Sequence, residues 1–298
     1  MSLIRKRIRL PPSNHTQRDV SADTPSRAGS HELAADPVIE GRVYGLDRIA
    51  FFTIVRKEIR RFLRIWVQTI TPPAINSLLY LLIFGGLIGS RISEMGGVSY
   101  LSFIMPGIIM MGIIMNSYAN VSSSFFSAKF QRSIEEMLVS PVSNITILLG
   151  FIAGGVCRGL IVGLLVAIVS LSFTKVMPVH MSITIIIAVM TAVLFSLGGM
   201  INATFAKSFD EISIIPNFVL TPLTYLGGIF YSIQMLPDFW QLVSKFNPIL
   251  YMINGFRFGI LGISDISIGS TFVVLSLFIL VFSVIALYLL DRGIGIKS

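Results

Sequence analysis

The chain has 298 residues, 54% of them hydrophobic and only 13% charged, with a net charge of +8 and a single cysteine. So few charges against so much apolar surface exclude a water-soluble globule, and one thiol gives no intramolecular disulfide and no cysteine metal cluster. What remains is an all-α integral membrane protein: the run over residues 183–193 is too continuously apolar for an alternating barrel strand, and in lipid only a helix satisfies its own backbone there.

Residues 1–45 are rich in Ser, Pro, Arg, Asp and His without a sustained apolar period, so they are expected to form a flexible cytoplasmic tail. The basic run from Arg5 to Arg9 is followed by Leu10-Pro11-Pro12, not by the apolar core of a signal peptide. Residues 46–68 change to an amphipathic helix. Phe52, Val55, Ile59, Phe62 or Leu63, and Trp66 form its apolar face, and Thr53, Lys57, Arg60 and Arg64 its polar one. Such a helix lies in the membrane interface, as a topology anchor or as a contact for headgroups or a partner. Pro72-Pro73 then mark the expected bend into the first span.

A hydrocarbon core about 30 Å thick requires roughly 20 apolar helical residues, and within 69–291 six stretches reach that length: residues 71–89, 100–122, 145–173, 183–205, 214–231 and 271–290. Basic residues crowd the segment before the first span, whereas the loop after it carries only Arg91. Lys129 and Arg132 follow the second span, Lys207 the fourth, and Arg292 and Lys297 the sixth. Since Lys and Arg near span ends stay in the cytoplasm, both termini, including the short end 292–298, are placed inside. The positive charge is then a topology signal beside anionic headgroups rather than a sign of nucleic-acid binding.

In the second span Asn116, Asn120, Ser123 or Ser124, and Ser127 recur at three- and four-residue spacing and share one helix face. A polar face inside a membrane serves either a translocation surface or hydrogen bonding between helices. Residues 128–143 follow as a short charged cytoplasmic segment closed by Ser140-Pro141. Arg158 falls midway along the third span, where a charge costs at least about 2.5 kcal/mol. No Asp or Glu lies in any of the six stretches to pair with it, so it faces water, backbone carbonyls or an anionic part of a substrate. Residues 232–269 contain Pro237 and Pro248 among Phe239, Trp240, Phe246, Tyr251 and Phe256. Too broken to span, they suit a re-entrant or interfacial hairpin on the outer side.

Across this region Leu220, Leu223, Leu226, Gly227 and Ile229 combine with Leu236-Pro237 and, after a ten-residue spacer, with Pro248, Ile249, Tyr251 and Arg257. The arrangement resembles the signature of the ABC-2 family, the membrane subunits of ATP-driven exporters, and the likeness extends over residues 46–292. The resemblance implies six spans entered by an interfacial connecting helix, and two short helices that re-enter the outer leaflet and line the exit. It also implies that the short helix of the 128–143 loop contacts the ATPase, with Arg132, Glu135 and Glu136 on its polar side and Met137-Leu138 on its apolar side. The candidates for the translocation pathway are Asn116, Asn120 and Arg158. The same resemblance implies a homodimer in the bacterial inner membrane, joined to a separate ATP-binding subunit that holds ATP and magnesium. Its cargo would be a hydrophobic or amphiphilic molecule such as a drug, a lipid-linked glycan or a polysaccharide.

The sequence contains no G-x-x-x-x-G-K-[ST], so no cofactor site is expected on this chain, and ATP hydrolysis falls to a partner. His15, His31 and His180 are scattered, without H-E-x-x-H or G-x-S-x-G, and no catalytic or metal constellation is found. A transport subunit is therefore expected, not an enzyme. Of two rival classes, an ion-coupled secondary carrier would need intramembrane carboxylates or inverted repeats, which these stretches lack. A non-transporting scaffold stays open, since it needs no catalytic pair.

Overall fold

The computed structural model describes residues 37–89, 91 and 94–296, with side chains from residue 45 onward apart from Leu87. Most of the expected tail over 1–45 lies outside these residues. Helix α1 (Pro37–Arg64) begins with a proline at the first helical position, where its missing N–H costs no bond. The chain breaks at Ile65 and resumes as α2 (Trp66–Tyr80), which continues in π-helical turns over Leu81–Ile88. The bend into the first span therefore precedes Pro72 and Pro73, which lie inside α2, contrary to the expectation from sequence. The break has its own support: the Thr69 hydroxyl reaches the carbonyls of Phe62 and Ile65 at 3.2 and 3.1 Å. As the seventh and eighth residues of α2, Pro72 and Pro73 are interior prolines that forfeit the bonds to the Gln68 and Thr69 carbonyls.

A two-residue hairpin follows, β1 (Glu94–Met95) against β2 (Val98–Ser99). Its turn places Gly96 and Gly97 at φ 61 and 79, the pair of positive values that a tight hairpin turn of this kind demands. Ser99 then accepts from the Ser102 N–H and starts α3 (Tyr100–Phe130). The remaining helices are α4 (Ser133–Val139), α5 (Asn144–Leu171), α6 (Met181–Phe205), α7 (Phe209–Ile215), α8 (Thr221–Leu226), α9 (Asp238–Lys245), α10 (Pro248–Leu261) and α11 (Ile268–Arg292).

Among the described residues five helical segments are long and apolar enough to cross a membrane: Trp66–Gly86, Tyr100–Phe130, Asn144–Leu171, Met181–Phe205 and Ile268–Arg292. The stretch expected over 214–231 is built differently. It is helical from α7 through π-helical turns at Pro216–Leu220 into α8, and stops at Leu226 ahead of Gly227 and Gly228, the latter at φ 78. Pro216 and Pro222 each remove a backbone donor, which widens the helix locally. Helix α10, with 14 residues, is about 21 Å long and falls short of a span.

Helix α3 is the centre of the bundle, covered by α5 on one side and α6 on the other. One apolar core gathers around Ile104, Met110, Ile114, Ile187 and Ile253 toward the hairpin end. A second gathers around Phe125, Ile134, Phe151 and Leu197 toward the α4 end. Inside lipid such helices associate through close packing, which small residues permit. Helix α5 supplies them on two faces: Gly150 and Gly154 toward α1, and Gly155, Gly159 and Gly163 toward α3. A Cβ on Gly154 would lie 2.5 Å from the Cβ of Glu58, so Gly154→Ala is expected to cost about 1–3 kcal/mol as α1 is pushed away. Thermal unfolding in detergent checks this, with Gly86→Ala, where nothing lies within 4 Å, expected to be nearly neutral.

Candidate functional site

Three contacts align α1 with α5. The Ser143 N–H donates to Asp47 at 2.9 Å, Ile54 packs on Gly150, and Glu58 packs on Gly154. They occur in the same order along both helices, so the C-terminal part of α1 runs parallel beside α5. The face of α1 that packs is Ile54, Glu58 and Phe62, all buried. The expected apolar face was turned by about one residue: Phe52 and Trp66 remain 64% and 56% exposed. Gly154 lies ten residues beyond Asn144, about 15 Å along α5, so Glu58 is carried well into the bundle.

Two polar rungs result where α1, α3 and α5 meet. In the first, the Ser124 hydroxyl donates to Glu58 Oε1 at 2.5 Å, and Arg61 stands 3.4 Å from Glu58 Oε2. Arg61 also donates to the carbonyl and side-chain oxygens of Asn120 at 2.8 and 3.0 Å, and to the Ser123 hydroxyl at 3.3 Å. The second rung is one helical turn further along both α3 and α5, where Arg158 donates to Asn116 Oδ1 at 3.2 Å. Asn116 Nδ2 is held in turn by the Gly112 carbonyl at 2.9 Å.

The polar face expected on α3 is thus present, and Asn116, Asn120 and Ser124 are all buried. Within one chain it is largely covered by α1 and α5. Asn116 alone borders open space, a cleft of about 120 Å³ between α2 and α3 shared with Asn76, Ser77 and Tyr80. Glu58 escaped the sequence reading because Lys57, Arg60 and Arg61 around it make the stretch look solvated. The signal lay in register: Ile54 and Glu58 repeat with the four-residue period of Gly150 and Gly154.

At the opposite end the signature residues organise α9 and α10. Leu236 is half-buried, Pro237 precedes the first turn of α9, and Pro248 opens α10 behind the Asn247 cap. Tyr251 donates to the Lys245 carbonyl at 2.9 Å and ties the two helices together. Arg257 is fully buried. It lies 3.8 Å over the Phe103 ring and donates to the carbonyls of Gly228 and Phe103 at 2.6 and 3.3 Å. It thereby joins α10, α3 and the loop after α8. Beside it opens a cavity of about 480 Å³ whose polar lining includes Glu94, Ser232, Gln234 and Asp265.

The α4 end carries the other candidates. Arg132 takes a left-handed conformation, φ 60, which turns the chain sharply between α3 and α4. Ile134 is the buried anchor of α4, with Met137 and Leu138 packed beside it. Arg132 and Glu136 are exposed and Glu135 is half-buried. Both acids stand in the first turn of α4, where carboxylates suit the helix dipole. Lys129 donates to the carbonyls of Thr204 and Ala206 at 2.7 and 2.8 Å, closing the end of α6 against α3. Among the described residues no group of His, Cys, Asp and Glu is arranged to hold a metal.

Comparison with known proteins is consistent with this architecture. The chain is 57% identical over 251 residues to the inner membrane transport permease YadH of Escherichia coli (strain K12), covering 84% of this chain and 98% of that one. Nodulation protein J of Rhizobium leguminosarum bv. trifolii is 25% identical over 183 residues, 60% of this chain and 69% of its own. In Rhizobium meliloti (strain 1021) nodulation protein J is 24% identical over 195 residues, 65% and 74% respectively. The family model described as ABC-2 type transporter matches residues 49–261, from α1 through α10, and the chain belongs to that family.

Proposed function

We propose that the chain is the permease subunit of an ATP-driven exporter, in which two copies form the pathway and a separate ATP-binding subunit, holding ATP and magnesium, drives it. In this reading the α4 end is cytoplasmic, both termini lie on that side, and the protein resides in a bacterial inner membrane, as the name of the Escherichia coli relative suggests. The segment from α7 to α8 completes a sixth crossing, α1 enters from the cytoplasmic side with its C-terminal part along the start of α5, and α9 and α10 re-enter from outside. The cargo is a hydrophobic or amphiphilic molecule.

The observation that carries the reading is α4. Its Ile134 anchor is fully buried, while Arg132 and Glu136 face outward and Val139 is 86% exposed. A short helix locked to α3 on one side and open on the other transmits a push from a docked protein. The ion-coupled carrier needs a free carboxylate in the pathway. Glu58 is the only acidic residue buried among the described residues, and Arg61 and Ser124 already occupy it. The test is purification of the tagged chain from native membranes in mild detergent. A stoichiometric P-loop ATPase in the eluate supports the exporter; recovery of the chain alone, under conditions that keep other such complexes intact, contradicts it.

A further inference from the structure

The two rungs differ in charge. The lower one is balanced, since the Glu58 carboxylate stands 3.4 Å from Arg61 and accepts from Ser124. The upper one is not: the recorded partner of Arg158 is the neutral Asn116 oxygen, and its buried Nε, like that of Arg61, has no hydrogen-bond partner. Arg61, which has the same sign, bonds Asn120, one helical turn from Asn116 on α3. A guanidinium held among transmembrane helices beside a like charge carries an unmatched positive charge in a medium that screens it poorly. Asn116, which holds Arg158, lines the α2–α3 cleft together with Asn76, Ser77 and Tyr80, so Arg158 stands one side chain behind the cleft wall. Few residues of the α2 segment are buried, so this cleft opens on the outer surface of the helix bundle. Ile108, Met111 and Met115 make the rest of its wall apolar.

We propose that Arg158, positioned by Asn116, is a receptor for the anionic headgroup of an amphiphile whose apolar part enters along the α2–α3 cleft. The guanidinium matches a phosphate or carboxylate oxyanion in two-point fashion and supplies the counter-charge that the fold leaves missing. Since the approach is walled by Ile108, Met111 and Met115, the oxyanion is one carried on an apolar tail and not a free ion. The inference rests on the exporter reading for its meaning as a cargo site, but its test does not depend on transport.

The test uses the full chain reconstituted in phosphatidylcholine nanodiscs doped with phosphatidylglycerol, extracted gently and examined by native mass spectrometry for retained lipid. Wild type is expected to retain phosphatidylglycerol over phosphatidylcholine, and Arg158→Gln to lose that preference by about tenfold or more, the range set by one charge-assisted bond. Arg158→Lys, which keeps the charge, is expected to recover part of it and guards against misfolding of the first variant. Arg61→Gln, in the balanced rung, is expected to leave the preference within about twofold if it does not touch the anion. Equal retention of both lipids by folded wild type and Arg158→Gln overturns the proposal. So does retention of inorganic phosphate without any lipid preference. Arg158-dependent lipid retention with no ATPase partner would remove the exporter reading and leave the site; an ATPase partner with no such retention would do the reverse.

Discussion

Glu58→Ala is expected to destabilise the protein by about 3 kcal/mol and to loosen α1 from α5, although the residue lies on a helix that the sequence presents as a solvated basic surface. Three effects add in the same direction. Arg61 loses its carboxylate while its side chain stays only 28% exposed, Ser124 loses its acceptor, and the Glu58 stem no longer fills the groove over Gly154. The lower end of the range for a broken buried pair applies because Arg61 retains some exposure and its bonds to Asn120. The double change Glu58→Ala with Arg61→Ala removes the stranded charge and is expected to be milder than the sum of the single changes. Thermal unfolding of the three variants in detergent measures this. A Glu58→Ala protein as stable as wild type, or strict additivity, would show that the pair is not formed.

Arg257→Ala is the second large effect, and its origin differs. Here the charge itself leaves, so the bonds to Gly228 and Phe103 and the desolvation that they offset disappear together. What remains is the hole left by the largest of the fully buried side chains, against the Phe103 ring. A cost of about 3 kcal/mol is expected from cavity formation. Arg257→Met, which refills most of that volume without a charge, is expected to recover most of it. If methionine proved as damaging as alanine, the hydrogen bonds rather than the volume would hold α10 to α3. In either variant the loop after α8 loses its tie to α10, so accessibility of a cysteine introduced at Ser264, at the mouth of the adjacent cavity, is expected to rise.

Five of the six apolar stretches read from sequence coincide with long helices, because a run of some 20 apolar residues has no other stable form in lipid. The stretch over 214–231 was harder to read. Pro216, Pro222 and the Gly227-Gly228 pair break its backbone pattern, and hydropathy does not register a missing donor. At the start of the chain, periodicity found a helix and one member of its buried face, Phe62, with Val55 and Ile59 half-buried beside it. Phe52 and Trp66 are apolar yet turned outward, while Ile54 and Glu58 pack inward with Phe62, because what selects the buried face is the glycine groove of α5, a partner 96 residues away. Arg158 was visible as an oddity, but its setting was not. That Asn116 holds it, and that a carboxylate lies one turn below yet belongs to Arg61, follows only from the meeting of three helices. Of the residues named for the ATPase contact, Glu135, Glu136 and Leu138 sit on α4 while Arg132 precedes it, and the buried anchor is Ile134, one residue before the acids.

The most direct test of the account is the ATPase activity of the purified complex in proteoliposomes, compared between wild type and a Glu135→Ala, Glu136→Ala variant that still binds the ATPase. If α4 transmits motion between the ATPase and the helices, the variant is expected to bind its partner while its lipid-stimulated turnover falls by about tenfold. Unchanged turnover in a complex of normal stoichiometry would mean that the exposed face of α4 carries no coupling, and would contradict the proposed role of this chain.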